Sequence, residues 1–260
     1  LYIVADAASC VQNAAATAAF VCLNERRDAM LFSGFQKLTL LDFPGKTAAT
    51  AFSPGCNFRC PFCHNARLVV PVEGETEHVG EEEILAYMAK RRGLLDGLCL
   101  TGGEPTLQAD LPDFCRKVKE LGLLVKLDTN GFRPDAVRRL IDEKLVDYVA
   151  MDVKNSRERY AETAGLPEID LRPVEESIAL LKEGRVDYEF RTTVVSQLHD
   201  RESLLSLARW LTGAKAWYLQ QFVDSGGCIR QGLTAWPEDA LRAFEGELQQ
   251  IMPTVHLRGI

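Results

Sequence analysis

The sequence predicts an α/β protein, an incomplete (β/α)6 barrel, and three observations predict it. Short β-branched and apolar runs alternate with amphipathic stretches from residue 47 onward. About six such βα units can be counted, too few to close an eight-stranded barrel. Residues able to do chemistry gather where the strands end, which is where barrels and open α/β sheets keep their sites.

The first strand is read at 47–53, TAATAFS, stopped by Pro54 and Gly55. Residues 80–92, GEEEILAYMAKRR, form a helix with acids in its first turn and bases in its last, matching the helix macrodipole. A strand at 97–101 runs straight into Gly102, Gly103 and Glu104. Helix 108–121 leads to strand 123–128 and an Asn130-Gly131 turn, and helix 134–143 leads to strand 146–153. A helix near 173–183 precedes strand 187–195, and helix 200–211 precedes strand 215–222. A last helix near 237–250 and a short strand around 254–258 complete the pattern. Parallel strands joined by right-handed helical crossovers follow from it.

At 260 residues and 47% hydrophobic content the chain can bury a full core. Asp and Glu number 37 against 30 Lys and Arg, a net charge of −7, so no general basic surface speaks for nucleic acid. A protein partner or a small substrate is favoured. The longest apolar stretches fall short of the roughly 18–20 residues that span a bilayer, so no transmembrane helix and no membrane partner are expected. Eight cysteines, scattered and without a secretory signal, suit reduced thiols and a cytoplasmic protein. Cys99, Cys115 and Cys228 read as core or loop residues, with Cys228 in SGGC the one best placed for a redox role. Gly45, Lys46 and Thr47 match the end of a phosphate-binding loop, but Leu40 stands where that loop needs glycine, so no nucleotide site is read there.

The chemistry centres on residues 56–63, CNFRCPFC, where Cys56, Cys60 and Cys63 have the spacing C-x3-C-x2-C. Closed zinc sites and ordinary iron–sulfur clusters use four protein ligands, so three thiolates leave one metal position open for a substrate or cofactor. A zinc knuckle completed by His64 or by a distant cysteine is the alternative. Downstream, Glu104, Asp128 with Thr129, and Asp152 with Lys154 follow successive strands, and Arg191 lies within the next. Buried charges without partners are costly, so acids and bases at one mouth fit a zwitterionic ligand or an ion. Structural salt bridges and caps are the plainer reading of each residue alone.

The cysteine spacing, with aromatic Phe62 before the last cysteine, resembles the signature of the radical SAM superfamily. TGGEPT at 101–106 resembles that family's GGEP motif. The resemblance implies a [4Fe-4S] cluster on Cys56, Cys60 and Cys63 whose fourth iron binds S-adenosyl-L-methionine (SAM), with Gly102, Gly103 and Glu104 at the methionine amino group. It also implies the incomplete barrel of the radical SAM type, open on one side. Asp128-Thr129-Asn130-Gly131, Asp152-Val153-Lys154 and Cys63-His64-Asn65 resemble the glycyl-radical-enzyme activating family. That likeness implies that Asp128, Thr129 and Asp152 help to bind SAM or a nearby monovalent cation, that Lys154 meets the SAM carboxylate, and that Arg191 lies near the same ligand. Gln220 and Gln221, in YLQQF, are expected to approach the adenosine.

The opening GFQKLTLLDFPGK and the YLQQF close are most similar to the anaerobic ribonucleoside-triphosphate reductase activating proteins. Reductive cleavage of SAM to a 5′-deoxyadenosyl radical, which takes a hydrogen from a glycine of a partner enzyme, is what that implies. The partner is then a glycyl-radical enzyme, anaerobic ribonucleotide reductase, with flavodoxin or ferredoxin as electron donor. A pyruvate formate-lyase-type activase and a radical SAM enzyme acting on a small molecule are the alternatives. No cysteine lies between Cys63 and Cys99, so a single cluster is expected. Family members open near Met30, so residues 30–260 are read as one radical SAM domain. Residues 1–29, Ala-rich and carrying Cys10 and Cys22, are read as an extension upstream of that start, with a partner-contacting helix as the alternative.

Overall fold

A strand that is followed by a helix returns to the same sheet through a right-handed crossover, so successive βα units add their strands in parallel. The chain follows that rule in a computed structural model that describes residues 30–69, 78–224 and 226–260. The extension expected at 1–29, with Cys10 and Cys22, lies outside the described residues. The opening strands are β1 (Leu31–Phe32), β2 (Gly34–Thr39) and β3 (Ala48–Ser53), and the short β4 (Val79–Gly80) pairs antiparallel with β1. The parallel series continues through β5 (Gly97–Gly102), β6 (Leu124–Thr129), β7 (Tyr148–Asp152), β8 (Asp187–Val194), β9 (Trp217–Gln221) and β10 (Val255–Arg258). Each strand from β3 onward in this series pairs with the next, and β2 adds antiparallel to the free side of β3. Among the described residues β2 and β10 end the sheet without pairing, so the barrel stays open.

The expected strands and helices are found, with ends that move by about three residues or fewer. The largest shift is at the helix expected from 108, which begins at Leu111 because Pro105–Leu107 first makes a 3-10 turn capped by Glu104. The sequence reading left 30–46 without structure, whereas β1 and β2 form there. It also missed the one-turn helix Tyr160–Ala164. No helix among the described residues is long and apolar enough to cross a membrane.

Alternation along each strand sends consecutive side chains to opposite faces. The outer face carries Leu98, Leu100, Val125, Leu127, Val149, Met151 and Phe190, all buried in the main core. These pack with the apolar stripes of the covering helices, such as Phe114, Cys115 and Val118 of the helix Leu111–Glu120. Cys99 and Cys115 are core residues, as expected. The inner face is different in kind. It carries Lys126 and Asp128 from β6, Tyr148 and Asp152 from β7, Glu189 and Arg191 from β8, and Tyr218 from β9. A closed barrel fills this space with layers of branched apolar side chains. Here it is filled by ion pairs.

At the lower end of that interior, Glu189 is 1% exposed and its carboxylate accepts both Arg258 Nη1 (2.7 Å) and Nη2 (2.8 Å), as well as the Tyr148 hydroxyl (2.9 Å). Arg258 also lies over the Tyr218 ring at 3.7 Å. A residue of the last strand therefore neutralises a buried acid two strands away. Replacing Arg258 by Met leaves Glu189 buried and unpaired, and should cost about 3 kcal/mol in urea unfolding at neutral pH. An unchanged unfolding midpoint in Arg258→Met would show that β10 is held by its backbone ladder alone.

Candidate active site

Cys56 and Cys60 follow the carboxyl end of β3 on an irregular loop, and five backbone bonds fix where that loop lies. Gly55 N donates to Leu68 O (2.8 Å), Gly103 N to Ser53 O (2.9 Å) and Glu104 N to Gly55 O (2.7 Å). On its far side Arg59 N donates to Ala164 O (2.9 Å) and Arg230 N to Pro61 O (2.9 Å). The two motifs thus meet backbone to backbone, and this is what their glycines permit. A Cβ on Gly103 would lie 1.8 Å from the Gly55 carbonyl oxygen. Gly165, at φ +70°, caps the helix Tyr160–Ala164, and a Cβ there would lie 2.0 Å from the Arg59 carbonyl oxygen. The sequence reading did not single out Gly165, whose only signal was an Ala-Gly pair after a short polar stretch.

Above this junction the strand ends surround a cavity of about 790 Å³, counting its open mouth. Cys56, Cys60, Cys63, Phe62, Gly102, Gly103, Glu104, Asp128, Thr129, Asp152, Lys154 and Arg191 all line it. The cysteines expected to hold a cluster and all the residues expected at SAM apart from Gln220 and Gln221 therefore face one space. Gln220 and Gln221 do not line it, and the Gln221 amide donates instead to Trp236 O (3.3 Å). The expected approach of Gln221 to the adenosine is thus corrected: β9 directs it toward the segment after it, while Gln220, in register with the cavity-lining Thr193, stays on the inner face.

Charge organises the cavity floor. Arg191 Nε donates to Asp152 Oδ1 (2.9 Å) and Arg191 Nη1 to Asp128 Oδ2 (3.3 Å). Lys154 Nζ donates to Asp152 Oδ2 (3.2 Å), and Lys126 pairs with Asp128 Oδ1. Burial pushes both carboxyls up, yet the cations prevail: Arg191 and Lys126 hold Asp128 below the usual range, and Arg191 and Lys154 bring Asp152 to about 2. Both acids are ionised at neutral pH. Glu104 stands apart because burial dominates and raises its pKa. Its Oε1 accepts from Thr106 N (3.1 Å), the Thr106 hydroxyl (2.5 Å) and the Thr129 hydroxyl (2.8 Å), and its Oε2 from Asn130 N (2.7 Å). A carboxylate has about four acceptor sites spread over two oxygens, so Glu104 ties the loop after β5 to the end of β6 and keeps acceptor capacity on Oε2.

The three thiols fit an iron–sulfur cluster with one open iron. Burial raises the pKa of all three, Cys60 to about 12, so metal binding has to displace their protons. Among the described residues no three His, Cys, Asp or Glu side chains are grouped to hold a single metal ion. Three thiolates on one zinc would stand about 4 Å apart, given Zn–S bonds of about 2.3 Å. A cluster asks for a wider set, since each cysteine takes a different iron. His64, the candidate fourth zinc ligand, is engaged elsewhere: its Nε2 meets Val223 O at 2.6 Å and its ring stacks on Phe222. Cys228 is buried outside the cavity lining, with its thiol donating to Phe62 O at 3.6 Å.

Two further residues serve the site without having been expected. The Asn130 amide donates to Asn57 Oδ1 (2.8 Å), tying the end of β6 to the cysteine loop. His199 is fully buried; its Nε2 bonds Lys154 O (2.8 Å) and its Nδ1 accepts from Val195 N (3.1 Å), which fixes the backbone that carries Lys154.

Comparison with known proteins agrees with this geometry. The model of the radical SAM superfamily matches residues 50–211. A Methanocaldococcus jannaschii protein, provisionally named a glycyl-radical enzyme activating enzyme, is 36% identical over 198 residues, which are 74% of this chain and 80% of that protein. The pyruvate formate-lyase 1-activating enzyme of Escherichia coli is 36% identical over 129 residues, 46% of this chain and 50% of that one. Among solved structures, Streptococcus suis SuiB bound to S-adenosylmethionine superposes with a TM-score of 0.60 at 16% identity, over 79% of this chain and 48% of that chain. The chain spans about half of that structure's length, and the likeness concerns the fold.

Two outcomes are expected. Gly103→Ala should lose the cysteine-loop junction, seen as loss of iron binding on anaerobic reconstitution while the far-ultraviolet circular dichroism stays that of a folded α/β protein. Full iron loading would show that the loop tolerates separation. Burial lowers the His199 pKa from 6.5 to about 4, so its neutral form stabilises the fold above pH 6.5 and that contribution is lost as pH falls toward 4. The His199→Asn variant should lack about 2 kcal/mol of the wild-type loss in unfolding free energy between pH 7 and 5. Parallel pH profiles for the two proteins would rule this out.

Proposed function

The chain belongs to the radical SAM superfamily, and we propose that it is an activase that generates a glycyl radical on an anaerobic ribonucleoside-triphosphate reductase. The observation that carries the reading is the cavity in which three cysteines meet the acids Glu104, Asp128 and Asp152 and the bases Lys154 and Arg191. In this reading Cys56, Cys60 and Cys63 each hold one iron of a [4Fe-4S] cluster. Lys154, with its Nζ on Asp152 and 6.0 Å from the Phe62 ring centroid, meets the SAM carboxylate. The backbone of Gly102 and Gly103 and the spare acceptor of Glu104 Oε2 receive the methionine ammonium. Phe62 walls the sulfonium side, and Asp128 and Thr129 face the remainder of the ligand. Cluster and SAM together supply the hydrogen-abstracting radical. The protein's own part is to hold the reactants in register and keep water away.

The glycine loop of the partner enters where the sheet stays open, at the carboxyl ends of the strands. Flavodoxin or ferredoxin is the electron donor, and a cytoplasmic setting, where thiols stay reduced, is part of the same reading. A monovalent cation at Asp128 would have to share that carboxylate with Lys126 and Arg191. A pyruvate formate-lyase-type partner is the second reading, favoured by the likeness to the Escherichia coli enzyme.

Anaerobic reconstitution should load about four irons per chain. Addition of SAM, reductant and anaerobic ribonucleotide reductase should give a SAM-dependent glycyl doublet in the electron paramagnetic resonance spectrum. The same doublet on pyruvate formate-lyase alone would move the assignment to the second reading. Deoxyadenosine formation with no doublet on either would point to a small-molecule substrate. Cys60→Ala should abolish SAM cleavage, and full cleavage by that variant would remove the basis of the reading.

A further inference from the structure

Lys126 is a lysine with a side chain 2% exposed, set beneath the ligand cavity on the inner face of β6. Lysine is almost never buried to this degree without a partner. Its ammonium pairs with Asp128 Oδ1, and its other polar neighbour is the Cys99 thiol of the adjacent strand at 3.8 Å. On the other side of Asp128, Arg191 divides its guanidinium between Asp128 and Asp152, and Asp152 in turn receives Lys154. The result is a chain of alternating charge, Lys126, Asp128, Arg191, Asp152, Lys154, running across β6, β7 and β8.

With Glu104 included, three acids of the cavity face three bases. Without Lys126 the balance fails, because Arg191 alone would answer for Asp128 while also serving Asp152. An apolar side chain at 126 would satisfy packing, as it does in the apolar layers of closed barrels. Packing therefore does not explain the ammonium. The need of Asp128 for a counter-charge does.

We propose that Lys126 is a built-in counter-cation, a positioning residue whose tethered ammonium fixes Asp128 against Arg191, so that the cavity binds its ligand without recruiting a free monovalent cation. The proposal rests on the reading of the cavity as a SAM site. Removal of the tether leaves a hole sized for an ammonium ion beside Asp128 Oδ1, with only the shared Arg191 left to answer for that carboxylate. A small cation from solution fills that hole; a bulky one does not.

The test compares wild type with Lys126→Met, both anaerobically reconstituted and left oxidised, in ammonium chloride and in tetramethylammonium chloride at equal ionic strength. SAM dissociation constants are measured by equilibrium dialysis and urea unfolding midpoints by fluorescence. Wild type should bind SAM with the same affinity in both salts. The variant should bind about ten-fold or more weakly in tetramethylammonium and regain most of that in ammonium, with its unfolding midpoint moving in the same direction. Wild-type affinity for the variant in tetramethylammonium would overturn the proposal. So would a loss that ammonium does not relieve, and so would a wild type that itself needs the small cation. If wild type binds no SAM in either salt, the SAM reading fails, and the unfolding midpoints alone decide the role of Lys126. Should Lys126→Met not fold, Lys126→Met combined with Asp128→Asn removes both charges and should restore the fold; failure to do so would also overturn the proposal.

Discussion

The structure depends on a run of ion pairs inside a half-closed barrel. Lys126, Asp128, Arg191 and Asp152 occupy inner-face positions of three neighbouring strands, where an apolar layer would be the simpler way to fill space, and Lys154 stands just past the end of β7. Taking such charges out of water is costly, and mutual pairing with shared hydrogen bonds offsets the cost. Replacement of the set by apolar residues would favour a filled core. The polar interior keeps the cavity open and presents both signs of charge at its floor, which is what a ligand with an ammonium, a carboxylate and a sulfonium requires.

The second constraint is steric and lies at the cavity wall. The cysteine loop has no regular structure to stiffen it, so its position comes from backbone contacts with the loop after β5, with the helix Tyr160–Ala164 and with the segment around Arg230. Gly103 and Gly165 leave room for two of these contacts, and a methyl group at either would fall inside a carbonyl oxygen. Glu104, itself held by Thr106, links the loop after β5 to the end of β6 through the Thr129 hydroxyl and Asn130 N. The metal-ligand loop and the charged floor are thus parts of one hydrogen-bonded unit.

That unity explains why membership of the radical SAM superfamily is legible from two short motifs, while the choice of partner is not. The motifs report a cavity whose geometry tolerates little change. Outside that cavity, in the segment beyond β9, Val223 and Ile229 are exposed and His64 contacts Val223 O, and no motif of the sequence marks these positions. In the proposed reading the partner presents a glycine loop, which offers little side-chain chemistry for a pocket to be built around, so the cavity carries less information about a partner than about the cofactor.

The sequence alone determined the order of strands and helices, because period-two and period-3.6 patterns are local and were interrupted by Gly, Pro and Asn in the expected places. It also determined the cysteine triplet, the glycine–glutamate loop and the acids and bases at strand ends, since each is a short motif attached to a strand. It did not assign β1, whose partner β4 lies far along the chain, or β2, whose partner β3 follows after an irregular turn, and it gave Gln221 a place that β9 does not provide. Tertiary structure decided what Lys126, His199, Asn130 and Gly165 do. Each looks ordinary in its own stretch: a lysine in a strand, a histidine before a helix cap, an asparagine in a turn, a glycine after a helix. Their roles come from contacts with residues between 2 and 106 positions away in the chain, Asp128, Lys154, Asn57 and Arg59. Even the nearest of these, Lys126 with Asp128, acquires its meaning from Arg191 on another strand. Periodicity tells which face a residue occupies, but only the closing of the sheet brings charges from three strands within reach of one another.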